Sequence, residues 1–267
     1  MSERTNYKPG EFCWVDLATT DVDAATKFYG DLLGVKAEPA PGDPEETGGY
    51  GFFTQWGKMV AGYGPAQQPG QPPAWTSYIR VEDADATAAQ VKDAGGQVLF
   101  GPIDLPADSG RMAICVDSGG AVFGVIQEKQ HAGAELVNEI GAWSWNNLMT
   151  RDLDQAKDFY GKVFDWEATH SGETPEFVLT WQVEGQRWPE GLGGLMEMGS
   201  DMPGDVPPHW EVYFLVPDLD AAIETTKGAG GNLLFGPLEV PVAKLAVFTD
   251  PQGAAFALME PDYPEPR

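Results

Sequence analysis

Histidine and cysteine are scarce in this chain of 267 residues, three of one and two of the other. The cysteines, Cys13 and Cys115, lie in strand-like runs without a Cys-x-x-Cys partner, which argues against a zinc site or a disulfide framework. His131, His170 and His209 form no His-Glu-x-x-His or His-x-His pattern, and the first two stand in loop-like segments. Basic residues are also few: 16 Lys plus Arg against 41 Asp plus Glu, a formal charge of −25. A field of that sign repels phosphate backbones and anionic membranes, so neither nucleic acid nor a membrane is expected as a partner. No apolar run approaches the length of a membrane span, and Met1 to Gly10 lack the apolar core of a signal peptide. A soluble, cytoplasmic protein is the expectation.

What is present is repetition. Trp14 to Gly30 lies over Trp145 to Gly161, with Trp, Leu, Thr, two Asp, Ala, Phe, Tyr and Gly recurring in order. A second pair follows. Asp83, Asp85, Ala86, Lys92 and Leu99-Phe100-Gly101-Pro102 match Asp218, Asp220, Ala221, Lys227 and Leu234-Phe235-Gly236-Pro237. The chain therefore reads as a duplicated domain, residues 8–129 and 137–262, with a linker near Lys129 to Ala134. Each half has the length for a core of its own.

The pattern within each repeat predicts a strand, a helix and three more strands. Glu11 to Leu17 alternates and is rich in aromatic and branched residues, as a strand should be. Thr20 with Asp23 has the form of a capping box. Ala25, Phe28, Tyr29, Leu32 and Leu33 then recur at helical spacing until Gly34. Ala156, Phe159, Tyr160, Val163 and Phe164 repeat that face. The fold class expected is α+β: four βαβββ modules in two tandem domains, each a concave mixed sheet with one face covered by helix and the other an open cup.

The modules, the helix ending Phe-Tyr-Gly and the turn Asp250-Pro251-Gln252-Gly253 together resemble the vicinal oxygen chelate superfamily, which holds glyoxalase I, extradiol dioxygenases and bleomycin-binding proteins. The tandem arrangement is similar to the two-domain glyoxalase-like proteins of actinobacteria. The resemblance implies one divalent metal per active cup, held by His, Glu or Gln on the first and last strands of paired modules. Carried over residue by residue, those slots fall on Trp14, near Gly62, Thr76 and Gly124, and on Trp145, near Gly194, Glu211 and Ala257. Only Glu211 binds a metal well, and an open catalytic site needs about three protein ligands. No metal and no other cofactor is expected.

Strand alternation fixes which residues share a face with the slots. In the N-terminal cup these are Phe12, Trp14 and Asp16 with Thr76, Tyr78 and Arg80, and Asp16 and Arg80 are placed to pair. In the C-terminal cup they are Trp143, Trp145 and Asn147 with His209, Glu211 and Tyr213. The opposite face, Trp210, Val212, Phe214 and Val216, is apolar throughout. The ligand-binding candidates are thus Trp14, Asp16, Thr76, Tyr78, Trp143, Trp145, Asn147 and Tyr213; Glu211 and His209 are the catalytic candidates. Large rings beside small residues suit a flat, hydrophobic or aromatic small molecule, bound by a monomer or a homodimer. A metal-free lyase, isomerase or cyclase acting through Glu211 and His209 is the second reading, a metal-dependent glyoxalase or dioxygenase the third. Cups packed shut by their own tryptophans, with a structural role, are the fourth.

Overall fold

An aspartate starts each of the four long helices, and each is followed by a strand that returns to the sheet. A computed structural model describes residues 3–68, 70–170, 178–182, 192–199, 202–240 and 242–262. The first module is β1 (Phe12–Thr19), α1 (Val22–Leu33), β2 (Lys36–Pro39), a short α2 (Pro44–Thr47), β3 (Gly51–Gln55) and β4 (Lys58–Pro65). The second is β5 (Ala74–Arg80), α3 (Ala84–Asp93), β6 (Gln97–Asp104), β7 (Gly110–Val116) and β8 (Val122–Glu128). The third is β9 (Trp143–Thr150), α4 (Leu153–Phe164), β10 (Glu167–Thr169), β11 (Val178–Gln182) and β12 (Gly193–Glu197). The fourth is β13 (His209–Leu215), α5 (Leu219–Gly228), β14 (Asn232–Val240), β15 (Ala243–Thr249) and β16 (Ala255–Pro261).

The caps explain the helix starts. Asp21, Asp83, Asp152 and Asp218 each accept a backbone N–H of the first turn, satisfying a donor that the helix itself leaves free. The first cap is thus Asp21 rather than Thr20, because its carboxylate reaches the Ala24 N–H at 3.0 Å. Gly34 ends α1 in the left-handed region, as its position after the apolar stripe predicts.

Each pair of modules makes one eight-stranded sheet, in the orders β2-β3-β4-β1-β5-β8-β7-β6 and β10-β11-β12-β9-β13-β16-β15-β14. In both, the helix returns the last strand of a module parallel to its first, and the two first strands meet antiparallel at the centre. The α+β architecture of tandem mixed sheets is as the repeat predicts. Among the described residues no helix is long and apolar enough to cross a membrane.

The two halves share one core instead of having one each. The buried apolar residues form a continuous cluster from Tyr7 to Leu258. Its cause is that α1 and α4 each pack against both halves. Rings of α1 pack on Phe256 of β16, and rings of α4 pack on Phe123 of β8. At the centre, Trp75 of β5 meets Phe214 of β13. Two tyrosines pin the contact. Tyr29 donates to Asp250 at 3.1 Å and accepts from Trp75 at 2.9 Å, while Tyr160 donates to Asp117 at 3.0 Å and accepts from Trp210 at 2.7 Å. The Ser77 hydroxyl donates to Asn146 Oδ1 at 2.8 Å, both residues being fully buried. The cups therefore open outward, back to back.

Candidate functional site

Four neighbouring strands build each cup floor, and their register sets its rungs. In the N-terminal sheet Gly62, Asp16 and Thr76 lie on one rung, and Trp14, Tyr78 and Gly124 on the next. In the C-terminal sheet the same rungs read Gly194, Asn147 and Glu211, then Trp145, Tyr213 and Ala257. All the ligand-binding and catalytic candidates, save Trp143 and His209, thus sit on these paired rungs. His209 lies one cup-facing position beyond Glu211, opposite Met149.

Two placements differ from the alternation rule. A bulge between Phe12 and Trp14, and another between Trp143 and Trp145, puts two residues opposite one and reverses the face upstream. Phe12 lies opposite Ile79, and its ring packs against Trp166 and Trp210 in the shared core. Trp143 lies opposite Phe214, in register with the apolar face rather than the cup. There it borders, together with Trp145, a cavity of about 90 Å³ whose other walls include Arg4, Tyr7, Glu11 and Phe12.

The N-terminal cup is tied together by hydrogen bonds. Tyr78 and Tyr50 both donate to Asp16 Oδ2 at 3.1 Å, and Trp14 Nε1 donates to the Tyr50 hydroxyl at 2.9 Å. Burial pushes the Asp16 carboxyl up to about 6, against the pull of the two hydroxyls. Asp16 does not pair with Arg80, whose guanidinium meets Glu128 at 3.3 Å. Tyr50 stands immediately ahead of β3, two residues before Phe52, whereas His131 carries no signal in strand periodicity because it reaches the cup from the linker. The linker is pinned across β1 and β4 by bonds from Ala134 to Cys13 and from Glu135 to Met59. It sets His131 edge-on to Trp14, ring centroids 4.6 Å apart. Burial lowers the His131 pKa, and its buried Nε2 has no partner among the described residues.

The C-terminal cup keeps the tyrosine and moves the acid. Tyr213, equivalent to Tyr78, donates to Glu211 Oε2 at 2.5 Å. The carboxyl has crossed the rung from β1's position to β5's: Asp16 faces Thr76, whereas Asn147 faces Glu211. Glu211 is 8 % exposed, and burial raises its pKa over the opposing effects of the Tyr213 hydroxyl and the His209 charge. Asn147 gives its amide N–H only to Met149 Sδ, at 3.6 Å, and leaves Oδ1 buried and unpaired among the described residues. His209 is half-buried, its Nδ1 2.9 Å from the Pro207 carbonyl.

These donors do not fit the divalent ion that the resemblance implies. The N-terminal rungs offer one carboxylate, with one oxygen already accepting two hydroxyls. The glycine floors are covered: a Cβ on Gly62 would overlap the Tyr50 hydroxyl, and one on Gly194 would overlap Asn147 Oδ1. Glu211 is the one strong ligand on the C-terminal rungs. Among the described residues no three His, Cys, Asp or Glu side chains stand close enough to hold a metal.

The family model described as Glyoxalase/Bleomycin resistance protein/Dioxygenase superfamily matches residues 12–125 and 139–258. The Mycobacterium tuberculosis protein named "Putative glyoxylase CFP32" is 40 % identical over 98 % of both chains. The Streptomyces peucetius protein named "Anthracycline biosynthesis protein DnrV" is 34 % identical over 96 % of this chain and 95 % of its own. Among solved structures, the Mn(II)-bound glyoxalase of Novosphingobium aromaticivorans superposes with a TM-score of 0.61 at 16 % identity, covering 94 % of this chain and 82 % of its own. The 2,3-dioxygenase LapB of Pseudomonas sp. KL28 gives 0.62 at 13 % identity, covering 98 % and 97 %. At those identities the structures share the fold. With both repeats matched by the family model and relatives aligned end to end, this chain belongs to the glyoxalase, bleomycin resistance protein and dioxygenase superfamily.

Proposed function

We propose that this protein binds a flat, hydrophobic or aromatic small molecule in the C-terminal cup, without a bound metal. The observation that carries the reading is the pairing, on adjacent rungs, of the Trp145 ring with a buried polar couple. Glu211 is biased toward its neutral acid, and Asn147 Oδ1 has no donor among the described residues. A neutral carboxyl both gives and accepts a hydrogen bond, and an orphaned acceptor in a buried site favours any ligand that brings an O–H or N–H. Such a pair suits a phenol or quinone edge, and Trp145 beside Ala257 suits the ring. The relatives named for anthracycline biosynthesis support the same class, since anthracyclines are fused planar rings bearing phenols and quinones.

Alizarin, a planar dihydroxyanthraquinone, is a suitable probe, read by quenching of tryptophan fluorescence. Saturable binding is expected in the presence of EDTA. Ring stacking contributes about 0.5–1.5 kcal/mol beyond the area buried, so Trp145→Ala should weaken binding about tenfold or more. Binding that appears only after Mn²⁺ or Zn²⁺ is added would overturn the metal-free reading.

The raised pKa of Glu211 favours a second reading, in which the same cup moves a proton. A carboxyl titrating above its usual range serves as general base or acid nearer neutral pH, with His209 next along the strand. Wild-type protein would then exchange the acidic C–H of β-tetralone with deuterated water. Glu211→Gln would abolish the exchange and leave binding intact; exchange unchanged in that variant would end this reading.

A further inference from the structure

The cups differ in a further respect that the repeat does not predict: beside the tyrosine that both rungs carry, Tyr78 and Tyr213, the N-terminal cup holds a second phenol, Tyr50. Gly62 and Gly64 occupy alternate positions of β4, so over that stretch the cup face of the strand is bare backbone. The Tyr50 ring lies along this groove. A Cβ built on Gly62 would overlap its hydroxyl, and one on Gly64 would sit 3.2 Å from its Cδ2. Phe52 meets the ring edge-on at 5.7 Å. At the far end the Tyr50 hydroxyl accepts from Trp14 Nε1 and donates to Asp16. Ring against bare backbone and aromatic edge, hydroxyl between an indole N–H and a carboxyl: this is the contact set of a bound phenol. The residue is only half-buried and reaches the surface.

In the second domain the described side chains nearest a Cβ on Gly194 are Asn147 and Trp145, not a tyrosine. Phe52 pairs with Gly62 as Thr180 pairs with Gly194. By that register Val178 stands where Tyr50 stands, and Met196 where Gly64 stands.

We propose that Tyr50 is a resident occupant of the N-terminal cup, which is a phenol-binding site closed by its own side chain. The site takes an external phenol when that ring is removed, with Trp14 and Asp16 as the groups that recognise the hydroxyl. The inference is independent of whether the C-terminal cup binds anything.

The test is equilibrium dialysis of the full chain against p-cresol, which is the tyrosine side chain as a free molecule. Tyr50→Val, the residue of the second domain, should bind one p-cresol more per chain than wild type, whatever number wild type binds. Tyr50→Phe keeps the ring and should add none. The extra site should weaken at least tenfold when Asp16→Asn is added, and should bind toluene at least tenfold more weakly than p-cresol. Should Tyr50→Val be too unstable to purify, Tyr50→Ala prepared in saturating p-cresol replaces it, with p-cresol expected to raise its melting temperature and toluene to raise it less. A failure of the C-terminal cup lowers the wild-type count and leaves the increment in place. The proposal is overturned if folded Tyr50→Val binds no more p-cresol than wild type, if Tyr50→Phe gains the site as well, or if Tyr50→Ala is unaffected by p-cresol.

Discussion

Replacing Asp16 by asparagine should change how stability depends on pH, and the size of the change follows from the N-terminal cup. The carboxyl begins near the ordinary aspartate value of 3.8 in the unfolded chain and is pushed up to about 6 in the folded one. Between those values the folded protein holds a proton that the unfolded chain has released, so stability falls as pH rises. One unit corresponds to about 1.4 kcal/mol, which makes the whole effect about 3 kcal/mol, roughly half of it above pH 5. The upper half is the useful part, because the sequence pI of about 4.2 makes the protein poorly soluble at lower pH. The asparagine side chain keeps an acceptor for Tyr50 and Tyr78 but does not titrate. Urea unfolding followed by tryptophan fluorescence at several values from about pH 5 to 7.5 gives the comparison. The stability of Asp16→Asn relative to wild type should rise by about 1.5 kcal/mol across that range. Asp117 and Glu211 are also raised by burial, but they are common to both proteins and cancel in the difference. Parallel curves for the two proteins would refute the reasoning, since they would mean that Asp16 is ionised in the folded cup throughout.

Three further outcomes follow from the packing. Ser77→Ala strips the buried Asn146 Oδ1 of its donor between the two sheets, and should cost about 1–3 kcal/mol in urea unfolding; no loss would mean that the bond does not tie the domains. Gly124→Ala would drive a Cβ into the Tyr78 ring, whereas the matching rung already carries Ala257. That substitution should cost about 1–3 kcal/mol by overpacking, and a stability equal to wild type would contradict the tight approach of Tyr78. Cys13 and Cys115 are buried, and burial raises both thiols, Cys115 to about 11. A thiol reagent at about pH 8 should therefore leave the native protein unmodified and titrate both cysteines in denaturant; rapid native reaction would contradict that burial.

How much of this was legible in the sequence depends on the range of the interactions. The duplicated Trp-to-Gly segments announce the four modules because each copy carries its own strand, aspartate cap and apolar helix stripe, all local signals. The face of Glu211 was legible because Trp210, Val212 and Phe214 alternate with it without interruption, and a one-residue slip would have buried an acid in the core. The placements of Phe12 and Trp143 failed at bulges, where one extra residue reverses the face and no residue type announces it. Tyr50 stands immediately ahead of β3 and His131 comes from the linker, and their positions depend on how the chain folds over the cup. One trace of Tyr50 did exist: two glycines alternating on β4 leave a groove that something must fill. Tyr29 and Tyr160 read correctly as helix-core residues, yet the aspartates they bind lie in the other half of the chain, beyond any local pattern. The shared core is invisible for the same reason, since each helix looks equally amphipathic whichever domain covers it.

The central claim is that the cups recognise a ligand through their own side chains, without a metal. It is tested most directly by a native mass spectrum of untagged protein purified without chelators and then given equimolar Mn²⁺ or Zn²⁺. The rungs as built predict the mass of the bare chain or of the chain with an organic adduct, and no metal ion retained after buffer exchange. One divalent ion held per chain, and lost on Glu211→Gln, would contradict the account and return the C-terminal cup to the metal-binding members of the superfamily.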